Sequence, residues 1–240
     1  MTTPIPIRPA TPTRTSTLLA NLAHVSSRVA AAAAASSTTS TTTTSSAPRL
    51  IAVSKLKPAS DILTLHQAPA SHTHFGENYL QELIEKARLL PPTIKWHFIG
   101  GLQSNKCATL AREVRGLWAV ESVDSAKKAS LLDKGWGERD ASLKDTDHEE
   151  RLRVFVQVNT SGEAEKSGVE PGEEAVQLCR FIRERCPRLR LQGVMTIGAI
   201  ARSRAVKEGE ENADFVTLRK VRDERCSSVC LAVDCIVWCC

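Results

Sequence analysis

The stretch Arg49-Leu-Ile-Ala-Val-Ser-Lys55 decides how this chain is read. Residues 50–53 form a short apolar run with the composition of a buried strand. It ends on a serine and a charged amine. A lysine that closes a buried strand is costly unless it is paired or functional, and a partly desolvated amine is an effective nucleophile. The competing reading is a lysine that lays its stem along the strand end and keeps its ammonium in water.

Downstream of Pro48, short apolar runs alternate with longer amphipathic segments, the pattern of parallel strands joined by crossover helices. Strands are expected at 50–54, 74–76, 95–99, 116–120, 153–159 and 190–197, and helices near 59–66, 79–89, 105–114, 125–136, 171–185 and 210–225. A charged loop at 137–151 precedes the fifth strand. Six βα units fit either an open doubly wound sheet or a barrel, and the pattern alone does not choose. The chain has neither a GxGxxG after the first strand nor a GxxxxGK[ST] loop, which argues against a dinucleotide fold and a triphosphatase.

In such architectures the chemistry sits just past the carboxyl ends of the strands. Here those ends carry Ser54 and Lys55, then Gly76, Glu77 and Asn78, then His97 with Gly100 and Gly101. Farther on come Glu121 and Asp124, Gln157 and Asn159, and Met195 and Thr196. His97, between Trp96 and Phe98, reads either as a general base or as a hydrogen-bonded core histidine. Glu77 could orient a ligand or cap the helix that follows.

Upstream of the deciding stretch, residues 1–15 are rich in Pro and Thr and are expected to be disordered. Leu18, Leu22, Val25 and Val29 then recur at helical spacing behind Ser16 as N-cap. A Ser/Thr-rich insertion at 36–47 breaks that helix. No Asp or Glu precedes Asp61, which accounts for much of the net charge of +5 and makes it weak evidence for nucleic-acid binding. Arg8, Arg14 and Arg28 amid Ser, Thr and Ala also fit a mitochondrial transit composition; the preferred expectation is a cytoplasmic protein with a disordered start.

At 240 residues with 42% hydrophobic content, the chain can build one barrel-sized domain. No apolar run reaches the length of a membrane span, so no membrane partner is expected, and the weak charge excess gives no ground to expect a nucleic-acid partner. Of the eight cysteines, Cys107, Cys179 and Cys186 are isolated and read as reduced structural thiols. The other five crowd the tail 226–240 without paired CxxC units or a following histidine, so no metal site is assigned. Asn159-Thr-Ser161 matches a glycosylation acceptor but has no signal peptide ahead of it.

The strand-end motifs are specific. They are Ala52-Val-Ser-Lys55 with Lys57-Pro58, Phe75-Gly-Glu-Asn-Tyr79 with Gln81-Glu82, and Trp96-His-Phe-Ile-Gly100 with Leu102-Gln-Ser-Asn-Lys106. They continue as Ser122-Val-Asp-Ser125, Val156-Gln-Val-Asn159 with Lys166-Ser-Gly168, and Gly193-Val-Met-Thr-Ile197. In these motifs residues 16–225 resemble the pyridoxal phosphate homeostasis protein family, whose fold is similar to the N-terminal barrel of alanine racemase. The resemblance implies an α/β protein of the (β/α)8 TIM-barrel type. It implies that Lys55 holds pyridoxal 5'-phosphate as a Schiff base and that Asn78, His97, Asn159 and Thr196 line the cofactor cavity. The role implied is that of a carrier, monomeric and without turnover, which buffers the cofactor and releases it to pyridoxal-phosphate-dependent apoenzymes.

The tail departs from that pattern. Members of the family continue into a seventh strand with a Ser-Met-Gly-Met-Ser type segment and an eighth with an Arg-x-Gly type segment, which bind the phosphate. Here Arg225 is followed by a Cys-rich ending that matches neither and suggests a gene-model or splicing artefact. The expectation is an incomplete barrel of six clear strands, with one more available in 229–238, edges prone to association and weak use of the phosphate. Two other readings stand beside the carrier. One is an amino-acid racemase, which needs a second acid/base group supplied in that family by a tyrosine of a further domain; the other is an incomplete fragment that binds nothing well.

Overall fold

The computed structural model describes residues 7–37, 48–67, 69–143, 150–205, 210–226 and 234–237. A long helix, α1 (Pro12–Ser37), is followed by seven parallel strands: β1 (Ala52–Val53), β2 (His74–Glu77), β3 (Lys95–Phe98), β4 (Leu117–Val123), β5 (Leu152–Gln157), β6 (Leu189–Thr196) and β7 (Asp234–Val237). Between them run α2 (Ala59–His66), α3 (Leu80–Leu89), α4 (Ser104–Glu113), α5 (Ala126–Gly137), α6 (Glu173–Arg185), the short α7 (Ile200–Ala205) and α8 (Ala213–Lys220), the last continued by a π-helical turn at Val221–Cys226.

Each strand pairs with the next one in the chain, in the order β1 to β7. That order settles what the alternation of elements left open: a doubly wound sheet reverses its strand order at a switch point, whereas a barrel adds strands in one direction. The seventh strand lies inside 229–238, one more than the six the sequence makes plain. Among the described residues no pairing joins β7 to β1, and the sheet is open between them.

Strand alternation sorts the core into two layers. Phe75, Trp96, Phe98, Val120, Val154, Val156 and Val194 face the helices and pack with Leu83, Leu110, Leu132 and Ile182. Burial of each such side chain stabilises the fold by about 1.5–3 kcal/mol. The inner face carries a smaller cluster of Ala119, Phe155 and Met195 beside Trp118. Cys107 and Cys186 are buried free thiols pushed up to about 11 by burial, the inert structural role expected of them.

The start of the chain corrects an expectation. Residues 7–15 are ordered: Ile7 packs against the core, and α1 begins at Pro12 rather than after Ser16. Thr11 Oγ1 accepts from the Arg14 amide at 3.3 Å, proline fits the first helical position, and Arg14 reaches Asp61 of α2 at 2.7 Å. The prolines and threonines of this stretch are helix-start residues, not a mark of disorder. No described helix is long and apolar enough to cross a membrane. Residues 38–47 of the Ser/Thr insertion, 144–149 of the charged loop, and 227–233 and 238–240 of the tail lie outside the described residues.

Candidate functional site

Lys55 follows β1 in a tight turn in which the Lys57 amide donates to Ser54 O at 3.0 Å. The next residue, Leu56, has φ 60°, a left-handed conformation that a branched side chain adopts only under restraint. The restraint comes from α3. Lys86 Nζ, buried, donates to Ser54 O at 2.8 Å, to Glu77 Oε1 at 2.6 Å and to Glu82 Oε1 at 2.6 Å. Ser54 Oγ donates to the same Glu77 oxygen at 2.6 Å, and the Leu56 amide donates to Glu82 Oε1 at 2.8 Å. Ser54 is thus tied on the helix side of the sheet, and Lys55, half-buried, follows it in the turn.

Register places the other candidates. Val53 pairs with Gly76, so Lys55 and Asn78 each lie two residues past the last register pair of β1 and β2, Lys55 in the turn and Asn78 ahead of α3. Asn78 Oδ1 is buried and has no hydrogen-bond partner among the described residues; the same holds for Ser122 Oγ and Glu77 Oε2. The Asn78 backbone is pinned from beneath by Gly100, where an added Cβ would fall 2.2 Å from Asn78 O.

His97 lies one pleat deeper, level with Gly76, and is fully buried. Burial first, then the nearby Arg49 and Arg153 guanidiniums, hold it well below the usual imidazole range. Neutral, it donates from Nδ1 to Glu121 at 2.5 Å and accepts at Nε2 from His74 Nδ1 at 2.8 Å. Burial, His97 and neighbouring cations push His74 down to about 2. Both ring nitrogens of His97 are therefore used inside the wall.

Asn159 lies past the end of β5, on the far side of the mouth. It donates to Glu163 O at 3.0 Å and accepts from Ser161 Oγ at 3.3 Å. Gly168, at φ 136°, brings its loop against the Asn159 amide, where a Cβ would lie 2.7 Å away. Thr196 is paired with the wrong face for a lining residue. It follows Met195 of the inner cluster, turns toward the helices, and joins Thr160 Oγ1 at 2.8 Å and the Gly198 amide at 3.2 Å. Thr160 donates to Asp214, a fully buried carboxylate of α8 that also accepts from the Ala199 amide at 2.8 Å and from Arg202 at 2.7 Å.

Lys55, Asn78 and Asn159 thus each follow the carboxyl end of a strand, His97 lies within β3, and Thr196 is turned toward the helices. Sequence reasoning missed Lys86 and Asp214. A signal for Lys86 exists, since it falls on the apolar stripe Leu83, Ala87, Leu90, where an unpaired lysine has no place. No group of three metal-ligating side chains converges among the described residues.

A lysine-ended first strand on consecutive parallel βα units defines a barrel of the alanine racemase type. The family model described as alanine racemase, N-terminal domain, matches residues 29–232, running past the point where the motifs stop. By fold alone the chain is similar to the alanine racemase of Clostridium difficile, at TM-score 0.59 and 16% identity over 78% of this chain and 45% of that one.

The chain belongs, within that class, to the pyridoxal phosphate homeostasis protein family. It is 46% identical over 177 residues to the Caenorhabditis elegans protein of that name, covering 72% of this chain and 67% of that one. It is 27% identical to PipY of Synechococcus elongatus, solved with PLP bound, with a TM-score of 0.55 and 82% of each chain covered. The chain spans about two thirds of the length of the animal and yeast relatives it matches, 65% for the human protein.

Proposed function

We propose that this chain binds pyridoxal 5'-phosphate on Lys55 and carries or buffers it for pyridoxal-phosphate-dependent apoenzymes of the cytoplasm, without turnover of its own. The observation that carries the reading is the buried Oδ1 of Asn78, which lacks a partner among the described residues and lies past the end of β2, the strand that pairs with the one Lys55 follows. A buried polar atom without a partner is costly and fits a polar ligand that completes it. The residues present therefore suit the cofactor. When bound, pyridoxal phosphate supplies an aldehyde, and Lys55 is the amine that would take it as a Schiff base with loss of water. Asn78 and Asn159 would hold the ring between them. His97 fixes the floor through Glu121 and His74, and Thr196 fixes the β6 loop from behind.

A carrier is favoured over a racemase by the relatives at 39–46% identity, which are named pyridoxal phosphate homeostasis proteins. The chain has one tyrosine, Tyr79, which is 52% exposed at the N-cap of α3. Racemisation needs a second group on the face opposite the lysine to return the proton, and chiral analysis of the product tests for one.

The experiment is to load the protein with pyridoxal phosphate, follow the visible absorption band, and then add an apoenzyme or a panel of L-amino acids. The expected result is a saturable band that the apoenzyme drains and no D-isomer by chiral analysis. Steady D-isomer production that depends on Lys55 would make the chain a racemase; failure of any band to form would make it a fragment that binds nothing.

A further inference from the structure

We infer that Lys86 is a positioning residue for Lys55: through Glu77, Glu82 and Ser54 it fixes the peptide on each side of Lys55 and so aims the amine into the mouth. This rests on the cofactor reading above.

The bracket grips the two neighbours of Lys55 and leaves Lys55 itself free. Lys86 Nζ holds the carbonyl of Ser54, the residue before, and Glu82 holds the amide of Leu56, the residue after. With the planes on both sides fixed, the Cα–Cβ direction of Lys55 is fixed as well. Glu77 completes the bracket by taking Ser54 Oγ and Lys86 Nζ on one oxygen.

Stability does not account for this arrangement. One ammonium and two carboxylates are drawn into or against the wall, with Lys86 at 6% and Glu77 at 0% exposure, and apolar residues of the same volume commonly serve a core as well or better. One of the Glu77 oxygens is left without a partner, and burial raises its pKa in spite of Lys86. The backbone it secures is strained, because Leu56 is 73% exposed and packs too little to explain its left-handed φ. Strain held by a buried charged network next to a reactive amine is the signature of pre-organisation.

Lys86→Met keeps an unbranched side chain one atom shorter and removes all three hydrogen bonds. Two ligands then separate aiming from folding: pyridoxal phosphate, which needs Lys55 to attach, and 4'-deoxypyridoxine 5'-phosphate, which has a methyl in place of the aldehyde and needs only the cavity. For Lys86→Met the affinity for pyridoxal phosphate, read from the visible band, is expected to fall by about tenfold or more, while binding of the deoxy analogue by calorimetry moves by less than about twofold. Should Lys86→Met fail to fold, Glu82, partly exposed, offers the same comparison. Glu82→Ala is expected to lose the band selectively, and Glu82→Gln, which keeps an acceptor for the Leu56 amide, to restore it to within about threefold of the parent. Parallel loss of both ligands, or an unchanged band in Lys86→Met and Glu82→Ala, would overturn the proposal. Absence of the band in the parent protein would instead overturn the cofactor reading on which it rests.

Discussion

At the scale of the residue, Asn78 and Gly100 form one unit. An added Cβ at position 100 would lie 2.6 Å from Asn78 Cα as well as 2.2 Å from its carbonyl oxygen, and both are backbone atoms that cannot swing aside. At Gly101 the same atom meets nothing within 4 Å. Gly100→Ala is therefore expected to cost about 1–3 kcal/mol of stability and to weaken cofactor binding, while Gly101→Ala leaves both nearly unchanged. Thermal denaturation with a parallel titration of the two variants checks this; equal behaviour would show that Asn78 is not held from below. Lys55 stands out in the sequence because a charge ends an apolar run, and the structure places it in the turn after β1. Thr196 was not legible, since the face a strand residue takes depends on parity that a bulge at Val154/Phe155 resets. Lys86 was hidden because a lysine in a helix reads by default as solvated.

At the scale of the element, β2, β3 and β4 are joined by the chain His74, His97, Glu121, and this makes their union sensitive to acid. Burial lowers His72, lowers His74 to about 2 and, with Arg49 and Arg153, puts His97 well below its ordinary value of 6.5. In the unfolded chain these rings bind protons below about pH 6.5 that the folded chain refuses. Stability is thus full above that pH and is lost as the pH falls, by up to about 1.4 kcal/mol per pH unit for the fully buried His97. Glu77 acts in the opposite sense. Burial raises its pKa, so its share of stability is gained as the pH falls through that raised value, and it offsets one ring of the three. The expected outcome is a net fall in the urea midpoint between about pH 7.5 and 5.5, and a flat or rising midpoint would contradict it. None of this was readable from the sequence beyond His97 itself, whose bland reading as a hydrogen-bonded core residue matches the geometry. The partners came from strand register, which the sequence does not print.

At the scale of the whole molecule, the alternation of strands and helices was plain in the sequence, and five of the six expected strands fall within a few residues of their places while the first shortens to Ala52–Val53. Its shortening follows from its position, since β1 pairs with β2 alone among the described residues. Barrel or open doubly wound sheet could not be decided from alternation, because both are built of the same units and differ only in the order in which strands meet. The motifs that carried the family resemblance turn out to be the strand ends and the glycines that support them, which is why a short set of residues identified so much of the chain. The proposed function turns on the amine of Lys55. The most direct test is to incubate the protein with pyridoxal 5'-phosphate, reduce with borohydride and map the peptides. The account predicts a pyridoxyl group on the peptide that contains Lys55 and loss of the visible band in Lys55→Ala; a label found only on another lysine, or a band that persists in Lys55→Ala, would contradict it.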